Sequence, residues 1–181
     1  MMNVQNSTCF SQENVLTMKQ MMHSVTYKTG SFLYQEGDPA DRLYYIHSGK
    51  VKISKHTEDG KEYTMYLFPD GDFLGQLDPY SHSKQSFAAR TLENCEVGYM
   101  HKEELAELLW KHHGLAMEFL QWLSLLHRMT QTKLRDLLMY GKLGALCSTL
   151  IRLSNSYGTQ SDEGIHISLK VTNSDLANYI G

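Results

Sequence analysis

The chain has 181 residues, 41% of them hydrophobic, and a formal net charge of -3. That is long enough for one ordinary domain with a second, smaller or partial one, and apolar enough for a core, so disorder is excluded as a starting point. Without an excess of positive charge, composition offers no argument for nucleic-acid binding, and such a case has to rest on local features.

In chain order, "MMNVQNSTCFSQ" lacks the basic start and apolar core of a secretory signal, and residues 1–22 read as an N-terminal arm. The apolar stretch from Gly114 to Leu126 is interrupted by Glu118 and Gln121, so no membrane span is expected. The three cysteines, Cys9, Cys95 and Cys147, are odd in number, far apart and without a Cys-x-x-Cys pair. This fits neither a disulfide framework nor a self-contained zinc site, and a reducing cytoplasm is the expected compartment. Cys95 and Cys147 lie on apolar patterns and read as buried, inert thiols.

From Gly30 to Met100, glycines at 37, 49, 60, 71 and 75 punctuate the chain roughly every ten residues, the turn spacing of a compact all-β unit. "LYYIHSGKVKIS" puts Val51 and Ile53 on one face of a strand and Lys50 and Lys52 on the other. "EYTMYLF" is rich in β-branched and aromatic residues, and "EDGK" at 58–61 is a hairpin signal. After Lys102 the pattern becomes helical. Leu115, Phe119, Trp122, Leu126 and Met129 recur at spacings of four and three, the seam of a helix packed on a partner helix, and are the expected dimerisation surface. A second stripe through Ala116, Leu120, Leu123, Leu134 and Leu137 widens the apolar surface, so that one stripe is free to cover the β unit while the other meets a second copy. One broad face of a buried helix in a monomer is the plainer alternative.

Gly141 is expected to end that helix. "KLGALCSTLIRLSNSYG" then reads as an amphipathic helix with Leu143, Leu146, Leu150 and Leu153 on its apolar face and Gly158 as its stop. "GIHISLKV" alternates as a strand through Val171, and Thr172 three residues before Asp175 forms an acidic capping box that starts a helix at Asn173. His112 and His113 point about 100° apart and make no metal pair; they read as exposed residues beside a break at Gly114.

This order of elements resembles the CRP/FNR family of bacterial transcription regulators. "GDPADRLYYIHSGKVKIS", "DGKE" and "GDFLGQL" look like that family's effector-binding roll, and "VTNSDLANYIG" is similar to the first helix of its winged helix-turn-helix. The resemblance implies an α+β fold. A double-stranded β-roll of the cyclic-nucleotide-binding, jelly-roll type would occupy 23–101, a helical linker and dimerisation helix 102–140, and the incomplete start of a winged helix-turn-helix 141–181. Thr172, Asn173, Ser174 and Asp175 would belong to the DNA-binding unit, whose recognition helix is missing from what is expected to be a truncated chain. The implied partners are a second copy, DNA in the full-length protein, and RNA polymerase.

In cyclic-AMP-binding relatives, the glutamate of a Gly-Glu-Leu motif holds the ribose hydroxyl and an arginine opposite pairs with the phosphate. In this sequence the motif is Gly75, Gln76 and Leu77, and the arginine position is Gln85, followed by Ser86. Neutral Gln85 forfeits a charge-assisted contact of roughly 1.5 to 3 kcal/mol, so cyclic AMP is not the expected ligand. A register shift of one residue would bring Lys84 there instead and restore a point charge.

"KLRDLLMYGKLGALCSTLIRLSNSYG" further resembles the FNR-type oxygen regulators of Bacillus, which hold an iron-sulfur cluster with C-terminal cysteines and an aspartate at the end of the dimer helix. That aspartate corresponds to Asp136. On the residues alone, a carboxylate beside Arg135 and Lys133 is ordinarily a solvated or ion-paired surface group. No cofactor is expected in this fragment, and an iron-sulfur cluster is implied only for the full-length protein. The expectation is a regulator responding to oxygen or redox state; the alternatives are a regulator responding to a cyclic nucleotide or other small molecule and, least favoured, a cupin-like metal enzyme. For the last, His47, His56, His82 and His101 are isolated and lack the His-x-His spacing, so no enzyme is expected.

Overall fold

The computed structural model describes residues 9–76, 83–169 and 172–180. Its β unit is a double-stranded roll built of two antiparallel four-stranded sheets. One has the order β1-β8-β3-β6 and the other β2-β7-β4-β5. The strands are β1 His23–Tyr27, β2 Phe32–Tyr34, β3 Arg42–Ser48, β4 Val51–His56, β5 Glu62–Phe68, β6 Phe73–Leu74, β7 Ala88–Thr91 and β8 Cys95–His101.

The run "LYYI" in β3 shows why this sheet is central. Alternate residues point to opposite faces. Tyr44 and Ile46 enter the core between the sheets with Val51, Ile53 and Phe68, whereas Leu43 and Tyr45 enter a second core on the other face. Both faces of β3 are therefore buried, which hides the period of two in a continuous apolar run. The turn after it requires glycine at 49: φ is +95°, and a Cβ would lie 2.5 Å from the Cys95 sulfur.

The second core is closed by helices. α1, Gln12–Met21, lies in what reads from sequence as an N-terminal arm. It is capped by the Ser11 hydroxyl, which accepts from the Asn14 N–H. Phe10, Met18 and Met22 insert beside Phe73 and Met100. α2 spans Lys102–Lys111 and α3 His113–Tyr157. The break between them falls at His112, with φ -123° and ψ 86°, and not at Gly114. α3 bends at Gly141, whose φ of 61° and ψ of -160° lie in a region open essentially to glycine alone. The expected helix end at 141 is thus a kink between two helical halves.

Beyond α3, β9 (Gly158–Ser161) and β10 (Gly164–Ile167) form a hairpin, and α4 spans Asn173–Ile180. The strand expected through Val171 ends at Ile167, and Lys170 and Val171 lie outside the described residues. The capping box forms as read: the Thr172 N–H donates to the Asp175 carboxylate at 2.9 Å, and the Asp175 N–H donates to the Thr172 hydroxyl at 3.1 Å. No helix among the described residues is long and apolar enough to cross a membrane.

Candidate functional site

Two places merit description: the polar end of the roll, and the joint in α3. At the first, Gly75 follows β6 and packs on β3, where a Cβ would lie 2.8 Å from the Arg42 carbonyl oxygen. The next residue, Gln76, turns its carboxamide onto Ser86. Its Oε1 accepts the Ser86 N–H at 3.0 Å, and its Nε2 donates to the Ser86 hydroxyl at 3.2 Å. Sequence reading brought these two residues to one site, and the structure joins them directly. Leu77 lies outside the described residues.

Gln85 is only 2% exposed, and its side-chain amide has no hydrogen-bond partner among the described residues. Its backbone is fixed, donating to the Asp38 carbonyl at 2.7 Å and accepting from the Gly37 N–H at 2.9 Å. Lys84 is exposed, bridges to Pro39 and borders a groove shared with Asp41, Lys102 and Glu103. The buried position is thus held by a neutral side chain while the neighbouring cation stands in solvent. An anionic phosphate placed beside Gln85 would find an amide there, without a charge to offset its desolvation.

At the joint, Asp136 is buried, with 2% exposure, in contrast to the surface position that its charged neighbours suggested. It lies ahead of Gly141, and two of its partners lie after it. The Ser148 hydroxyl donates to Oδ2, and Arg152 Nη1 stands 3.5 Å from the same oxygen. Oδ1 receives Arg135 Nη2 at 2.7 Å and Nε at 3.0 Å. The Ser148 hydrogen bond, then Arg135 and Arg152, hold the carboxyl below its ordinary range. The aspartate is an ion-paired clasp across the kink.

That arrangement also tests the fit of a metal cluster. Both carboxylate oxygens are engaged, and no group of three or more His, Cys, Asp or Glu side chains among the described residues is placed to hold a metal. Cys95 is buried, with burial raising its pKa, whereas Cys147 is exposed, contrary to its apolar pattern. The donor set of the described residues does not fit an iron-sulfur cluster.

The expected dimerisation stripe is corrected in part. Leu115, Phe119 and Trp122 are buried in the chain's own second core, and Leu126 packs against it. Met129 is partly buried and lines a cavity with Leu67 and Leu153. The parallel stripe is the open one: Leu120 is 56% exposed, Leu123 41%, Leu134 56% and Leu137 44%. The burial of the two stripes is therefore the reverse of that expected, because the spacing specifies two faces without saying which one meets the sheet. After Gly141 the expected apolar face is buried only in part: Leu153 is buried and Leu146 half-buried, with Ala145 and Thr149 facing inward beside them, while Leu143 and Leu150 are exposed. Thr172, Asn173 and Ser174 are exposed at the start of α4.

Residues 24–112 match the cyclic nucleotide-binding domain family. The chain is 41% identical to the anaerobic regulatory protein of Bacillus subtilis over 91% of its own length and 67% of that protein's. It is 25% identical to a CRP-like cAMP-activated global transcriptional regulator of Mycobacterium tuberculosis, over 92% of this chain and 75% of that one. Among solved structures, the c-di-GMP responsive global regulator CLP of Xanthomonas campestris superposes with a TM-score of 0.73 at 24% identity, covering 94% of this chain and 84% of that chain.

Proposed function

This chain belongs to the CRP/FNR family of bacterial transcription regulators, and we propose that within it the chain is a DNA-binding regulator that answers to oxygen or redox state and not to cyclic AMP. Residues 23–101 serve as the sensor, 102–140 as linker and dimerisation helix, and 141–181 as the start of the winged helix-turn-helix. The observation that carries the exclusion of cyclic AMP is the neutral pair at the roll. Gln76 is closed onto Ser86, and buried Gln85 supplies no charge to a phosphate. Support for the oxygen reading comes from the 41% identity to a protein named for anaerobic regulation.

The dimer forms through the open stripe of Leu120, Leu123, Leu134 and Leu137, whose apolar area is otherwise left in water. A signal acts by shifting the population between two arrangements of the α3 halves about Gly141. In the intact dimer this sets the spacing of two DNA-reading helices over sites about 34 Å apart, with RNA polymerase as the downstream partner. Asp136 holds one of those arrangements; cluster ligation by Asp136 would first require release of Ser148 and Arg135, and no step is assigned to it.

Two measurements test the reading. In calorimetric titration, cyclic AMP is expected to bind at least ten- to a hundredfold more weakly than to a relative with arginine at the Gln85 position; binding of equal strength would refute the argument from Gln85. A strain lacking the gene is expected to change its transcript profile under anaerobic growth and little in air. The same change under both conditions would sink the oxygen reading.

A further inference from the structure

Between β5, both halves of α3 and α4 lies a cavity of about 280 Å3. Its walls are mainly apolar, with Met65, Leu134, Leu137, Ala145 and Ile180 among them. A smaller cavity of about 70 Å3 shares Met65, Lys133, Arg152 and Tyr179 with it. Neither lining contains a carboxylate among the described residues.

The charged groups that line this junction, Lys133 and Arg152, are both cationic, among neutral hydroxyls and the Asn178 amide. Lys133 donates to the Met65 carbonyl, and its ammonium stands 5.0 Å from the Tyr66 ring centroid of β5 and 5.6 Å from that of Tyr179 on α4. The charged group facing Lys133 from the second half of α3 is Arg152, which is repulsive; burial and then Arg152 lower the lysine pKa to about 7. Arg152 has Asp136 at 3.5 Å, but Arg135 shares that carboxylate. Lys133 thus stands beside Arg152, whose one carboxylate partner is shared with Arg135, next to an apolar space.

We infer that this cavity binds a small amphipathic carboxylic acid, its apolar body against Met65, Leu134, Leu137 and Ala145 and its carboxylate on Lys133 and Arg152. The volume and walls suit a compact apolar body better than a nucleotide. Paired with an anion, Lys133 is charged over more of the pH range, so binding above neutrality takes up a proton. The bound acid would tie β5 to both sides of the Gly141 kink. The cavity borders the proposed dimer stripe, with which it shares Leu134 and Leu137; its test requires neither DNA nor oxygen.

Octanoate and its neutral counterpart 1-octanol are the probes, titrated calorimetrically at pH 8 in two buffers of different ionisation enthalpy. Octanoate is expected to bind ten- to a hundredfold more tightly than octanol, with net proton uptake. Lys133→Met is expected to remove that preference and Lys133→Arg to keep part of it, while Ala145→Leu narrows the cavity and weakens both ligands. Circular dichroism and thermal melts of each variant confirm that the fold is retained. Equal binding of octanoate and octanol, binding of neither, or an octanoate affinity unchanged in Lys133→Met would overturn the assignment.

Discussion

Trp122→Ala is expected to lower the unfolding free energy by about 3 to 5 kcal/mol, the cost of emptying a buried aromatic site that collapses only in part. Trp122 is fully buried, with ring centroids 5.2 Å from Phe119 and 6.3 Å from Phe10. It thereby joins α3, the N-terminal segment and the sheet through one side chain. Its indole N–H has no partner among the described residues, so Trp122→Phe gives up packing volume without breaking a hydrogen bond. That variant should lose under about 1.5 kcal/mol. Urea unfolding of the three proteins measures both differences. A Trp122→Ala protein as stable as the parent would mean that α3 does not seat on the roll through this residue.

Asp136→Asn is expected to cost about 1.5 to 3 kcal/mol at pH 7, because hydrogen bonds to a charged acceptor become neutral ones and Arg152 loses its counter-charge. The pH dependence follows from the direction of the shift. Hydrogen bonding from Ser148, then from Arg135, depresses the folded pKa below the unfolded value. The stabilisation is therefore complete above the ordinary carboxylate pKa of about 4 and is lost as pH falls through the lower folded value. Parent and variant should converge in stability on acidification from pH 5 to pH 2. A gap that stayed constant across that range would show that the carboxylate charge is not what holds the clasp.

The roll was legible because its signals are local. Glycine spacing, the Asp-Gly hairpin and the β-branched runs each act within a few residues, and the Thr172–Asp175 capping box is satisfied within one turn. What sequence reading missed depends on distant partners. The apolar residues of α1 make only a weak face, and its place is fixed in part by Glu118, whose carboxylate accepts the Ser11 N–H at 3.0 Å and the Asn14 amide at 2.7 Å from over 100 positions away. The reversed burial of the apolar stripes on α3 has the same origin: periodicity counts faces, and only the shape of the sheet selects one. Gln76 and Ser86 were expected near one another, but their mutual pairing was not, since it needs the two strand ends to meet. The cavity beside Lys133 left no trace in the pattern because its walls come from three separated segments.

A contact twelve positions apart on a helix is geometrically impossible while that helix is straight: at 1.5 Å per residue the two backbones would stand about 18 Å apart. Asp136 and Ser148 are twelve positions apart and bonded. Their bond is consequently a binary gauge of the bend at Gly141, closed when the rod is folded and necessarily open when it is extended. A pair of small dyes or a short crosslinker at these two positions would read the joint directly.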